Sequence, residues 1–243
     1  MKVLKKLLTG LIKFGTWRYK KGGIIMSRPY DVGFICGRFQ TFHKGHQKLI
    51  ETALLLCDRV LIFVGSAQEA GTERNPLNIA TRIKMIKSIY DDPNRVMVYA
   101  LADMTNENDI CPEWGKYLLK NVDRYIYKAP ELMVYGNDAS RSGWFDVDDI
   151  KQTTELIVNR NELPISATML RTLMVLGERR LWMQYVDSKL HKMFDELRNE
   201  MMEVPYYREL ENKLNKILLD RNEKEWDENT DPLLHPLFEV LKK

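Results

Sequence analysis

Cysteine is scarce in this 243-residue chain: the three present, Cys36, Cys57 and Cys111, are odd in number, far apart and free of any C-x-x-C spacing. That pattern argues against a disulfide framework or a zinc site. The thiols read as reduced and mostly buried, as expected of a cytoplasmic protein. Long apolar runs are missing too. The stretch from Leu54 to Val64 is interrupted by Asp58 and Arg59, and none approaches the roughly 18 residues that cross a bilayer, so a membrane-spanning role is excluded. Acid is absent from residues 1–25, which hold Lys2, Lys5, Lys6, Lys13, Arg18, Lys20 and Lys21; that leader carries +7 where the whole chain carries +3, so the remainder carries −4. A body of that sign offers no reason to expect nucleic acid as a partner. The leader reads as a surface-associating segment, a targeting peptide, or translated sequence upstream of the native start. The third is favoured, because Lys21-Gly22-Gly23 can be encoded by a purine-rich ribosome-binding sequence just ahead of Met26.

With 44% hydrophobic and 29% charged residues, the chain can build one substantial core with additions. From Tyr30 onward, short β-rich apolar runs alternate with longer stretches of helical period, the pattern of a parallel sheet with helical crossovers. Strands are expected at 32–36, 60–64, 96–100, 132–135 and 155–158. Helices are expected at 44–56, at 79–90 with Asn78 as cap, at 113–120, and from Ser166 to Gly177. Farther on, 181–200 reads as one long helix and 206–219 as another after Pro205, before a loosely structured end marked by Asp231-Pro232 and His235-Pro236. The expected division is a leader over 1–25, an α/β domain over 26–177 and a helical C-terminal extension over 178–243.

Two segments carry chemistry. The first strand runs into Gly37-Arg38-Phe39-Gln40-Thr41-Phe42-His43-Lys44-Gly45-His46, a glycine-containing loop that feeds a helix. Ligands of open parallel sheets collect at strand carboxyl ends, where helix N-termini present unpaired N–H groups and a positive dipole end. His43 and His46 at i, i+3 share one face of the first helical turn, and Gly45 permits close approach of a bulky anion. One histidine as cap and the other as surface is the plain alternative. At this composition, however, the chance expectation for H-x-G-H is about 0.003 matches, which favours a pair of donors to a nucleotide triphosphate. The second segment, Ile165-Ser166-Ala167-Thr168-Met169-Leu170-Arg171, follows the fifth strand and opens a helix. Ser166 suits the cap, and Arg171, three residues past Thr168, leans back toward the N-terminus, so all three side chains can converge on one phosphate.

The motifs G-R-F-x-x-F-H-x-G-H and I-S-x-T-x-x-R resemble those of the HxGH nucleotidyltransferase superfamily. Within it, Gly65-Ser66-Ala67-Gln68, Thr72-Glu73-Arg74-Asn75-Pro76 and Arg82 are similar to the archaeal-type nicotinamide mononucleotide (NMN) adenylyltransferases, including forms fused to a Nudix hydrolase. The similarity spans Asp31 to Gly177 and implies a Rossmann-like, doubly wound α/β fold with a five-stranded parallel sheet. It implies transfer of AMP from ATP to NMN, giving NAD and pyrophosphate, with Mg²⁺ held mainly by ATP phosphates and no protein metal ligand. His43, His46 and Arg171 would be the catalytic group, with Gly37, Arg38, Phe39, Gly45, Gly136, Asn137, Ser166 and Thr168 on ATP. Ser66, Arg74, Asn75 and Trp114 would serve the acceptor, Trp114 by stacking on nicotinamide; a core role for Trp114, and a simple turn at Gly136-Asn137-Asp138, are the alternatives. Thr41 stands where the family usually has proline, which removes no donor.

Past Gly177 nothing spells the Nudix glutamate signature, and the Leu/Met stripe there reads as packing, with a homo-oligomer contact as the alternative. Two competing functions stay open. One is a sibling cytidylyl- or adenylyltransferase acting on another phosphate, such as phosphopantetheine; the other is a nucleotide-binding sensor without turnover.

Overall fold

The computed structural model describes residues 17–20, 23–26, 28–104, 111–136, 142–159 and 165–220. Within the expected leader, β1 (Trp17–Lys20) and β2 (Gly23–Met26) pair antiparallel, Trp17 opposite Met26. The main sheet has five strands: β3 (Tyr30–Gly37), β4 (Cys57–Val64), β5 (Val96–Ala100), β6 (Leu132–Gly136) and β7 (Thr154–Val158). All its pairings are parallel and the order is β5-β4-β3-β6-β7. Chain direction across the sheet reverses between β3 and β6, the switch point at which doubly wound sheets open a crevice.

Strand periodicity explains why both faces are covered. Val60, Ile62 and Val64 of β4 enter one core together with Val96, Val98, Leu132 and Val134. The alternate residues Leu61 and Phe63 enter a second core with Val32, Phe34, Met133 and Tyr135. The first face is covered by α1 (Lys44–Leu56), α2 (Ile79–Ile89) and α5 (Ala167–Val175), and the second by α3 (Pro112–Ile126). Helix α3 outruns its expected end at Lys120 because Trp114, Leu118, Val122 and Ile126, four apart, are all buried. A single-turn helix α4 (Val147–Ile150) precedes β7.

The helices after Gly177 belong to the first core. They are α6 (Arg179–Tyr185), α7 (Phe194–Met202) and α8 (Pro205–Asp220), and Trp182, Leu190, Phe194, Leu197, Met201 and Tyr207 pack with the strands and α5. The one long helix expected over 181–200 is corrected to three pieces: α6, a 3₁₀ segment Ser188–Met193, and α7. Val186 is extended, and the Asp187 carboxylate accepts the Lys189 N–H at 2.9 Å, so a side-chain cap replaces the continuing helix bond there. No helix among the described residues is long and apolar enough to cross a membrane.

Candidate active site

At the carboxyl ends of β3 and β6 lies a cavity of about 360 Å³, within the size range of small-molecule sites. Its walls are the two segments singled out above. Gly37, Arg38, Phe39, His43 and His46 line it from the β3–α1 side, Ser166, Thr168 and Arg171 from α5, Gly136 from β6, and Arg74 from the loop after β4. Among the described residues the lining contributes three arginines and no carboxylate. The described lining is therefore positively charged.

Each histidine is held by a local cause. His43 is the N-cap of α1, 2% exposed, and its Nδ1 accepts the Gly45 N–H at 3.0 Å. With Nδ1 used as acceptor, the neutral ring carries its proton on Nε2 and offers it as a donor. Gly45 thus acts through His43 and is not itself a lining residue. The His46 ring stacks on His43 at 3.9 Å between centroids and meets the Phe39 ring edge-on at 4.9 Å. Phe39 has φ +55°, a left-handed conformation unusual for a residue with a side chain, at the point where the chain leaves β3. The Gln40–Thr41 peptide is cis.

On the opposite wall, Ser166 caps α5 by accepting the Met169 N–H at 3.0 Å, which leaves its own O–H as a donor. Arg171 Nη2 donates to Thr168 Oγ1 at 3.3 Å, and its Nη1 donates to the carbonyl of Gln40, so the guanidinium bridges the two motifs.

Other expected residues sit differently. Ser66 and Asn75 are buried in the loop after β4, not on the cavity wall. The Asn75 amide donates to Glu69 at 2.8 Å, and the Ser66 N–H donates to Asp103 at 3.2 Å. Trp114 is 6% exposed in the second core, edge-on to Trp144 at 5.9 Å, and does not line the cavity; of its two readings, these contacts describe the packing one. Asn137 lies outside the described residues.

Two residues outside the expected set hold the loops in place. Gln40, 3% exposed, donates to the Leu77 carbonyl at 2.8 Å and accepts the Leu77 N–H at 2.9 Å, tying the β3 loop to the chain just past Arg74. Arg82 is fully buried on α2 and donates to the carbonyls of Arg38, Gly65, Ser66, Glu69 and Asn78. Burial pushes its pKa down to about 10, with the Asp103 carboxylate partly opposing that shift, so it stays charged at neutral pH. Its place in the resemblance is a sequence signal for Arg82; Gln40 carries none, because only the folded chain brings it to Leu77. No group of three or more His, Cys, Asp or Glu side chains among the described residues is placed to hold a metal ion.

This arrangement can be set beside known proteins. The nicotinamide-nucleotide adenylyltransferase of Saccharolobus solfataricus is 27% identical over 172 residues, covering 69% of this chain and 92% of that protein. The same-named protein of Archaeoglobus fulgidus is 28% identical over 171 residues, covering 68% and 90%. A solved bifunctional NMN adenylyltransferase/ADP ribose pyrophosphatase from Francisella tularensis, complexed with AMP and a manganese ion, has a TM-score of 0.57 at 25% identity. That likeness covers 79% of this chain and 55% of the other, so the chain spans about half the length of the bifunctional protein. A family model described as cytidylyltransferase-like matches residues 34–205. Because that match runs from the first strand of the main sheet to the start of α8, over more than half of the chain, the protein belongs to the cytidylyltransferase-like family.

Proposed function

We propose that this protein is a nicotinamide-nucleotide adenylyltransferase, transferring the adenylyl group of ATP to NMN to give NAD and pyrophosphate. The observation that carries the reading is the single cavity shared by the histidine segment, the Ser166–Arg171 segment and Arg74. A phosphate oxygen of NMN attacks the α-phosphorus of ATP in line, the bond from that phosphorus to the bridging oxygen breaks, and pyrophosphate departs with the electron pair. No protein nucleophile is required. The protein's work is to bring two anions together and to stabilise charge as it moves to the leaving group.

The lining residues suit that work. An arginine and a phosphate oxygen about 4 Å apart attract by roughly 4 kcal/mol at an effective dielectric of about 20, and three arginines face this cavity. Arg171, with the Ser166 and Thr168 hydroxyls, takes the β- and γ-phosphates. His43 and His46, with Arg38 beside them, donate to the oxygens nearest the bond that breaks, and Arg74 serves the acceptor phosphate. Mg²⁺ prefers oxygen ligands, and the described residues of the wall supply arginine, imidazole and hydroxyl groups without a carboxylate. The ion would enter as part of the Mg–ATP substrate, where it would neutralise the polyphosphate.

The test is pyrophosphate release from Mg–ATP with NMN, nicotinic acid mononucleotide and phosphopantetheine as acceptors, for wild type and His46→Ala. Release with NMN, accompanied by NAD, and a fall in kcat of at least about 100-fold in the variant are expected. Equal rates from both proteins would remove the proposed site. Release with phosphopantetheine alone would assign the protein to a sibling activity.

A further inference from the structure

Arg74 stands on a short segment that the helices after Gly177 hold at both ends. On one side the Tyr207 hydroxyl of α8 donates to the Glu73 carbonyl. On the other, the half-buried Glu200 of α7 takes three bonds. Its Oε1 accepts the backbone N–H and the side-chain amide of Asn78, each at 2.6 Å, and its Oε2 accepts the Thr81 hydroxyl at 2.6 Å. Asn78 both ends the Arg74 loop and caps α2, so the carboxylate sits where helix N-terminal donors and the helix dipole favour a negative charge. One turn earlier on α7, Glu196 pairs with Lys84 of α2 at 2.6 Å; that pair joins helix to helix and leaves the loop aside. Helix α7 is in turn fixed to α5, because Arg198 donates to the carbonyls of Met174 and Val175 at 2.8 and 3.2 Å. One helix therefore connects α5, which presents Ser166, Thr168 and Arg171 to the cavity, with the end of the Arg74 loop.

We propose that Glu200 is a positioning residue of the cavity: through Asn78 it fixes the Arg74 loop against the rest of the fold and so presents the Arg74 guanidinium to the acceptor phosphate. Glu200 itself does not line the cavity, so it acts only through the loop it holds. Gln40 grips the same loop at Leu77 from the β3 side, and Glu200 grips it one residue farther on from the α7 side. A loop whose backbone is fixed in this way has less conformational freedom to lose when its arginine closes on a phosphate. The inference rests on the reading of Arg74 as the arm that serves the acceptor.

The experiment is a double-mutant cycle of Glu200→Ala and Arg74→Ala, with Glu196→Ala as the control that loosens α7 from α2 without touching the loop. It is read as KM for NMN and KM for ATP in NAD formation, and as the dissociation constant of NMN by calorimetry. Glu200→Ala is expected to weaken NMN by about tenfold in both measurements, the size of one bond to a charged group, with KM for ATP and the Glu196→Ala control within twofold of wild type. In the Arg74→Ala background the effect of Glu200→Ala should shrink to less than twofold, because the group it acts through is gone. Glu200→Gln keeps an oxygen for Asn78 and an amide that the Thr81 hydroxyl can accept, so it should restore NMN to within about threefold of wild type. Thr81→Val removes one of the three bonds within the same shape and should give a smaller rise of the same kind, about threefold, so the test does not depend on the folding of one variant. Additive effects in the cycle, an equal rise in KM for ATP, or an equal loss in Glu196→Ala would overturn the assignment by reducing Glu200 to a contact between helices. A wild-type protein that binds NMN with this coupling but forms no NAD would defeat the proposed reaction and leave the positioning role standing. Failure of the wild type both to bind NMN and to form NAD would defeat both.

Discussion

Replacing Arg82 by lysine tests how the loops around the cavity are held. An arginine has five N–H donors, and at Arg82 all five point to backbone carbonyls: Gly65 at 2.7 Å, Ser66 at 3.0 Å, Arg38 at 3.1 Å, and Glu69 and Asn78 at 3.4 Å. The ammonium of lysine keeps the charge but has three donors on a single atom, so it cannot reach the β3 loop and both ends of the β4 loop together. At least two carbonyls lose a charged donor. At about 1.5 kcal/mol for each such bond, Arg82→Lys should cost about 3 kcal/mol, a large share of the 5–15 kcal/mol that stabilises a typical domain. Urea unfolding at pH 7, extrapolated linearly to water, measures that loss. Because Arg38 and the Gly65–Ser66 turn are released together, kcat/KM for ATP should also fall at temperatures where the variant is fully folded. Stability within about 0.5 kcal/mol of wild type would refute the argument that the fork geometry of Arg82, and not merely its charge, holds these loops.

Two further outcomes follow from packing and from buried acids. A Cβ on Gly115 would stand 1.8 Å from the Trp144 carbonyl oxygen and 2.8 Å from the Phe145 ring. Gly115→Ala should therefore destabilise by about 3 kcal/mol despite alanine's better helix propensity, and a rise in the thermal midpoint would show that the 142–145 segment gives way freely. Burial pushes the Cys57 thiol from 9.0 to about 12 and the Tyr207 phenol from 10.0 to about 12. Both groups stay neutral in the fold while the unfolded chain gives up their protons at lower pH. Stability should be level below pH 9 and decline from there toward about pH 12. Urea midpoints between pH 8 and 11 should fall less steeply in Cys57→Ala than in wild type, and parallel curves would exclude Cys57 as a source of the decline.

The sheet was legible because strand and helix periods are local. Val60 to Val64 alternates between two cores, the helix of 44–56 has the bounds its pattern suggests, and Asn78 and Ser166 cap where their side chains predict. The break at Val186-Asp187 was not legible, since a helical pattern continues across it and the capping bond at Asp187 becomes visible only with the fold in hand.

By itself the sequence located the five strands of the main sheet, the helices that flank them up to Gly177 and the two motifs at helix starts, because caps, periodicity and charge act over a few neighbouring residues. Only the tertiary structure decided which side chains meet. It put Gln40 against Leu77, Arg82 beneath two loops, Trp114 inside a core, and the Tyr207 hydroxyl on the Glu73 carbonyl. The Gln40–Leu77 and Tyr207–Glu73 contacts join residues 37 and 134 positions apart, and at such separations only the topology of the sheet and the packing of helices on it determine which groups share a space.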